Sequence, residues 1–221
     1  GHVSESQLDS RLREQIALEN PPYEYLWPQS QLRGDSAISY LTGHKTFSEI
    51  LAENGYGCGL SGKWHIGDSA TPQAGFTYWH TEAMGGDNYY YPVALENGRM
   101  TMKENVYVTD YITENALDFL RGHSGGEDPF FLAVHYTAPH SPWAAPCHPE
   151  EYIKLYEDCP FATIPNLPPH PWCAEARQTR AEWDRKPHPG VRFIHAQYAP
   201  IEEEWQQYRR ESLRGYFAAV T

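Results

Sequence analysis

The sequence predicts an α/β fold in which a mostly parallel sheet is flanked by helices. Helical patterns and short apolar runs alternate in the order helix, strand, helix, strand, helix, which is typical of layered α/β proteins. The chain has 221 residues, enough for one domain with a sizeable core. Ligands of such sheets bind beyond the carboxyl ends of the strands, so the residues that follow each strand are the first candidates for a site.

The polar lead-in, residues 1–45, contains one predicted helix. Apolar residues recur at every fourth position over residues 4–19, and two prolines end that pattern. Residues 23–35 are predicted to form a surface loop.

The core of the fold is predicted to begin at Thr46. The segment Thr46–Glu49 has the form of a capping box, in which the threonine oxygen and the glutamate carboxylate each accept from a free backbone N–H at a helix start. Gly55 suits the left-handed end of that helix. The run Gly57–Ser61 then predicts a buried strand that leads directly into Gly62-Lys63-Trp64-His65.

A second helix and strand follow. The helix is predicted from Thr109, as the N-cap, to Leu120, with Gly122 as its end. The apolar run Pro129–Tyr136 predicts a strand buried on both faces. It leads into Thr137-Ala138-Pro139-His140.

The last third of the chain is less regular. Pro149 suits the start of a short helix through Tyr156, and residues 158–200 are rich in proline, which predicts a long surface excursion. Pro200 and the acidic residues after it favour a final helix. The chain is therefore interpreted as one domain with segments 1–45, 46–157, 158–199 and 200–221.

Charge and composition exclude several classes of protein. The formal net charge of −12 argues against nucleic-acid binding, which needs a basic face. No apolar run approaches the roughly 20 residues of a membrane span. The four cysteines form no CxxC pair, so they are predicted to be reduced, structural thiols. The alternative is a disulfide between Cys147 and Cys159, which could form if the protein is exported. A site for an anion would need local cations or a metal.

Lys63 and His65 form the first candidate cluster. In an extended segment they point to the same side, while Trp64 points into the core. A cation and an imidazole at a strand end suit an oxyanion. The alternative is a surface lysine beside a packed histidine.

His140 is the second candidate. Pro139 and Pro142 restrict the backbone on either side of it, so its ring is held at a strand end. Such a histidine could act as a general acid, a base or a ligand. The alternative is a packed histidine with its hydrogen bonds satisfied.

The order of these motifs resembles the sulfatases of the alkaline-phosphatase-like superfamily. The segment Gly55–Gly67 is similar to a sulfatase signature that ends in Gly-Lys-Trp-His, a hydrophobic residue and Gly. Phe130-Phe131-Leu132 followed by Ala138–Trp143 resembles a second sulfatase block. The similarity covers about residues 40–160 and the last helix. It implies that residues 1–221 are a partial arylsulfatase-like catalytic domain.

The resemblance also implies roles for matching residues. Lys63 would contact the sulfate oxygens and a formylglycine nucleophile, His65 would hydrogen-bond the formylglycine hydroxyl, and His140 would face the leaving oxygen. A calcium ion would accompany them in the full-length enzyme. Aromatic residues near the motifs would stack on a sulfated glycan, unless they only pack the core. These residues are Trp79, Tyr89 and Trp143.

This chain departs from the family pattern in three respects. None of its cysteines is followed by x-Pro-x-Arg, the motif of the formylglycine precursor. The paired aspartates that hold calcium and the ligands that follow the final helix do not match positions in this sequence. We therefore expect the formylglycine precursor and the calcium ligands to lie outside this chain. We also expect the chain alone to be inactive. Phosphate or phosphonate ester hydrolysis and binding without turnover are the alternative functions.

Overall fold

The computed structural model describes residues 38–83, 89–96, 99–165 and 205–221. The helix predicted over residues 4–19 and most of the proline-rich excursion lie outside these ranges. The chain divides into two compact units, and in the described ranges the first holds residues 38–137 and the second holds residues 138–165 and 205–221. The division into four segments stays a prediction.

A five-stranded sheet forms the first unit. Its strands are β1 (Gly57–Gly62), β2 (Tyr78–Glu82), β3 (Val93–Glu96), β4 (Arg99–Met102) and β5 (Phe130–His135). In space their order is β4-β3-β2-β1-β5. Strand β1 pairs in parallel with β2 and β5, whereas β3 and β4 are antiparallel additions beyond β2. The predicted α/β fold is confirmed, with a mixed sheet in place of the mostly parallel one.

Helices cover both faces of β1. Helix α1 (Phe47–Glu53) begins with the predicted capping box at Thr46, and Gly55 has the predicted positive φ, +85°. On the α1 face lies a core cluster of buried residues: Cys58, Leu60, Trp64, Phe76, Trp79 and Ala133. Helix α2 (Val108–His123) covers the other face, where the Ser61 hydroxyl donates to the Ile112 carbonyl oxygen at 2.7 Å.

Helix α2 differs from the prediction at both ends. Its N-cap is Tyr107, which makes no side-chain capping bond, so Thr109 lies within the first turn. The helix also continues past Gly122 to His123. The His123 ring stacks on Phe119, with ring centroids 4.0 Å apart, and its Nδ1 lies 2.8 Å from the Phe119 carbonyl oxygen. This local packing extends the final turn that glycine was predicted to stop.

Strand β5 is not buried on both faces, which corrects the prediction made from its apolar run. It lies at the edge of the described sheet, where β1 is the strand paired with it, and 43% of Phe130 is exposed. Its apolar composition matched a central strand, but composition does not report how many neighbours a strand has.

The second unit is helical in its described residues. It contains a 3-10 helix (Ala145–Cys147), α3 (Glu150–Leu155) and α4 (Trp205–Ala219), and α4 contacts both of the others. Helix α3 agrees with the short helix predicted after Pro149. The start of the final helix, predicted at Pro200, lies outside the described residues. Among the helices that the structure describes, none is long and apolar enough to cross a membrane.

Candidate active site

The first candidate segment follows β1 directly. Trp64 is 8% exposed and belongs to the same cluster as Cys58 and Leu60, which confirms that it packs into the core. The alternation that buries Trp64 turns its neighbours Lys63 and His65 away from that cluster. Both neighbours are half-buried.

The backbone of Lys63 is fixed to the end of β5. Its N–H donates to the His135 carbonyl oxygen at 2.7 Å, and its own carbonyl oxygen lies 3.0 Å from His135 Nδ1. A carbonyl oxygen can only accept, so Nδ1 of His135 carries the proton in this contact. The two bonds bracket one residue and hold the lysine at the carboxyl edge of the sheet.

A buried carboxylate lies on the neighbouring strand. Glu82 ends β2, and its side chain is fully buried. The Thr137 hydroxyl donates to Glu82 Oε1. Burial raises the pKa of Glu82 to about 7, although the Thr137 hydrogen bond and the charge of Lys63 both act to lower it. This edge of the sheet therefore combines a lysine with a carboxyl group that titrates near neutral pH.

His140 belongs to the second unit and is exposed. Its Nδ1 lies 2.8 Å from the Ser141 carbonyl oxygen. Because that oxygen accepts, Nδ1 is the donor in this contact.

The loop around His140 is braced by two further side chains. Trp143 Nε1 donates to the Pro139 carbonyl oxygen at 2.9 Å, and His148 Nε2 lies 3.0 Å from the Pro142 carbonyl oxygen. Burial lowers the pKa of His148, which favours its neutral form. Both side chains thus bind backbone carbonyl oxygens of the prolines on either side of His140.

Trp143 is also held by helix α4. Its ring centroid lies 6.1 Å from that of Tyr216. A Cβ at Gly215 would lie 1.8 Å from the Trp143 carbonyl oxygen, so the helix reaches the loop only because glycine is present there. Trp143 itself is half-buried.

Trp79 and Tyr89 are packed inside the first unit. Trp79 is 7% exposed, its centroid lies 5.3 Å from that of Trp64, and its Nε1 donates to the Ser69 carbonyl oxygen at 2.8 Å. Tyr89 is 1% exposed and stacks on Tyr107 at 5.8 Å. These contacts agree with the packing alternative raised for the aromatic residues, because neither ring offers a face to a sugar.

The described residues do not fit a calcium ion. Among them, no three or more His, Cys, Asp or Glu side chains cluster in a way that could hold a metal.

The described cysteines form no disulfide. Cys58, Cys147 and Cys159 are free thiols in the structure, so Cys147 and Cys159 are not bridged.

Sequence reasoning missed three polar side chains that support the Lys63 edge. Glu82 was missed because the short strand β2 was not predicted. His135 and Thr137 lie at the end of a predicted strand, and their position beside the Lys63 motif was the available signal.

Comparisons with known proteins agree with this architecture. The family profile described as "Sulfatase" matches residues 14–220. The chain is 35% identical to N-acetylglucosamine-6-O-sulfatase of Bacteroides thetaiotaomicron over 137 residues, which cover 60% of this chain and 23% of that protein. It is 32% identical to human N-acetylglucosamine-6-sulfatase over 126 residues, which cover 51% of this chain and 22% of the relative.

A solved structure shares the fold. It is described as a complex with its substrate D-glucosamine-2-N,6-O-disulfate, and it matches 80% of this chain and 44% of its own with a TM-score of 0.54 at 20% identity. The chain thus spans less than half the length of each of these relatives. Since the family profile covers nearly the whole chain, the chain belongs to the sulfatase family.

Proposed function

We propose that the protein containing this chain hydrolyses sulfate esters, and that Lys63, His65 and His140 contribute to that reaction. The observation that carries the proposal is the placement of Lys63, whose backbone is bracketed by His135 at the carboxyl edge of the sheet. Ligands of parallel sheets bind at that edge. Membership of the family supports the reaction class, although fold alone would not.

Each residue has a role suited to its chemistry. Lys63 binds the sulfate oxygens, on which negative charge builds during sulfate transfer. His65 lies two residues further along the same segment, and its role is to hydrogen-bond the formylglycine hydroxyl. His140 exposes its ring on a braced loop and donates a proton through Nε2 to the leaving oxygen.

The family resemblance also implies calcium and a formylglycine nucleophile. When bound, calcium would supply positive charge for the sulfate oxygens. The described residues do not fit that ion. We assign its ligands and the formylglycine precursor to parts of the protein outside this chain, because the family motifs for both do not occur in this sequence.

The substrate we propose is a sulfated glucosamine-type sugar. The matched relatives from Bacteroides thetaiotaomicron and human are named for sulfate removal from position 6 of N-acetylglucosamine. Trp143 supports this proposal, because its half-buried ring lies next to the His140 loop and can stack on a sugar.

The first experiment compares sulfate and phosphate esters of the same alcohol, using the product of the complete gene that contains this sequence. We expect the sulfate ester to be hydrolysed with the higher kcat/KM. Lys63→Ala should lower that value by roughly 100-fold or more, the scale for removing one group that stabilises a transition-state charge. Lys103→Ala is the matched control, because Lys103 pairs with Glu96 on the β3–β4 hairpin. Preferred hydrolysis of the phosphate ester would contradict the assigned reaction.

A second experiment addresses the sugar. N-acetylglucosamine 6-sulfate should be hydrolysed faster than its 3-sulfate isomer, which has the same charge and composition. Equal rates on the two isomers would contradict the proposed substrate while leaving sulfate ester hydrolysis intact.

A further inference from the structure

Glu82 is the most deeply buried charged group at the Lys63 edge. Its side chain has no exposed surface, and Thr137 is the residue that donates to its Oε1. Within the described part of the chain, Oε2 has no hydrogen-bond partner. A buried carboxylate with a single neutral hydrogen bond is costly to the fold, so its presence calls for a reason other than stability.

The strand register places this carboxylate beside Lys63. The parallel pairing of β1 and β2 ends with Gly62 opposite Thr81. Lys63 directly follows the end of β1, and Glu82 is the last residue of β2. The two charges interact, since Lys63 acts to lower the pKa of Glu82. On the other side of Glu82, β3 contributes Ala94, an apolar register partner. Lys63 is thus the charged residue that follows the strand paired with β2 next to Glu82.

A negative charge at an anion site, such as the one that Glu82 carries above its pKa of about 7, affects ligands according to their own charge. A sulfate monoester carries one negative charge, whereas a phosphate monoester carries about two above neutral pH, since its second pKa is about 6. Repulsion by the carboxylate acts once on the first ligand and about twice on the second. Low exposure to water strengthens this difference.

We propose that Glu82 is a specificity-determining residue, whose buried carboxylate beside Lys63 selects singly charged sulfate esters against doubly charged phosphate esters. The inference rests on the proposed function in one respect, namely that Lys63 binds the anionic group of the substrate. Glu82 does not touch the substrate in this scheme, and its field reaches the bound anion. Thr137 holds the carboxylate in place.

The test measures binding of methyl sulfate and methyl phosphate to the complete gene product by calorimetry at pH 8. Glu82→Gln keeps the shape and the acceptor for Thr137 but removes the charge. It should tighten binding of both anions, and the preference for methyl sulfate should fall by about tenfold, the scale for one unit charge roughly 10 Å from the ligand at an effective dielectric of about 20. Glu53→Gln is the matched control, since it removes an equal charge from an exposed carboxylate that pairs with Lys45, so the preference should change little.

Several outcomes decide the matter. Weaker binding of both anions to a folded Glu82→Gln protein, or an unchanged preference, would overturn the proposal, because structural damage weakens binding and does not sort ligands by charge. Failure of the unaltered protein to bind either anion would overturn it too. If Glu82→Gln does not fold, Glu82→Met removes the same charge with a side chain suited to an apolar site. Binding with the expected preference but without turnover would refute the proposed hydrolysis and support the role of Glu82.

Discussion

A methyl group added at Gly62 tests how closely the end of β1 is fitted to β5. Gly62 has a φ of +109°, which side chains other than glycine rarely adopt. A Cβ at this position would lie 2.1 Å from the His135 carbonyl oxygen and 3.2 Å from Ile112 Cγ2. The carbonyl belongs to the backbone and accepts the Lys63 N–H, so it cannot move aside without breaking the bracket around the lysine.

We expect Gly62→Ala to lower the free energy of unfolding by about 3 kcal/mol or more. Backbone strain at positive φ contributes about 1–3 kcal/mol and overpacking a further 1–3 kcal/mol. Urea denaturation followed by circular dichroism measures the loss, since the midpoint shifts with stability. Activity toward a sulfate ester should fall as well, because the substitution displaces Lys63.

Substitutions at two other glycines distinguish the cost of backbone strain from the cost of overpacking. Gly55 also has a positive φ, +85°, but a Cβ there meets no atom within 4 Å, so Gly55→Ala should cost only about 1–2 kcal/mol of strain. Gly122 lies in helix α2 with open space around it, and Gly122→Ala should cost nothing or stabilise slightly. If Gly62→Ala unfolds at the same urea concentration as Gly122→Ala, the close fit of β1 to β5 is wrong.

Three further predictions concern the site and the core. His140→Ala should slow hydrolysis of an unactivated sugar sulfate by roughly 100-fold, the usual scale for general acid catalysis, and should slow a nitrophenyl sulfate much less; equal losses would mean that His140 does not donate the proton. Leu60 is fully buried in the core cluster, so Leu60→Ala should cost about 2–5 kcal/mol by urea denaturation, and a loss below 1 kcal/mol would contradict that packing. The pKa of Glu82 is raised to about 7 from its ordinary 4.5, so the folded state binds a proton that the unfolded state releases, and stability should fall as pH rises from about 4.5 to 7, by up to about 3 kcal/mol. Glu82→Gln should remove this part of the pH dependence, and an identical pH profile in the variant would refute it.

The parts of the fold that sequence predicted well carry local signals. The capping box at Thr46, the positive φ of Gly55 and the buried run after Gly57 each depend on residues close together in the chain. Physical preference and final structure agree at these positions because tertiary packing does not oppose the local signal.

The antiparallel half of the sheet was not predicted. Strands β3 and β4 have four residues each, and the five residues of β2 include the polar His80, Thr81 and Glu82. Such short segments are too brief for a clear period of two. The edge position of β5 was equally hidden, since it depends on which strands lie beside it.

The candidate site was predictable where motif and strand end coincide. Lys63 became a candidate because its motif follows a strand, and its role in the site stays a prediction. The burial of Trp64 was predicted correctly, because alternation turns it inward. Glu82 could not be found in this way, because only folding brings the end of β2 beside the end of β1. The burial that raises the pKa of Glu82 likewise arises only when the strands have come together.

The central position of β1 has a consequence for the dynamics of the site. Both of its edges are paired, to β2 and to β5, and five of its six residues are buried. Amide hydrogens of such a strand exchange with solvent only when the surrounding sheet opens, which gives them a free energy of opening near the global value. Strand β4, at the far side of the described sheet, has one paired edge and can open separately. Lys63 thus directly follows the strand whose backbone amides should be the slowest to exchange in deuterated water.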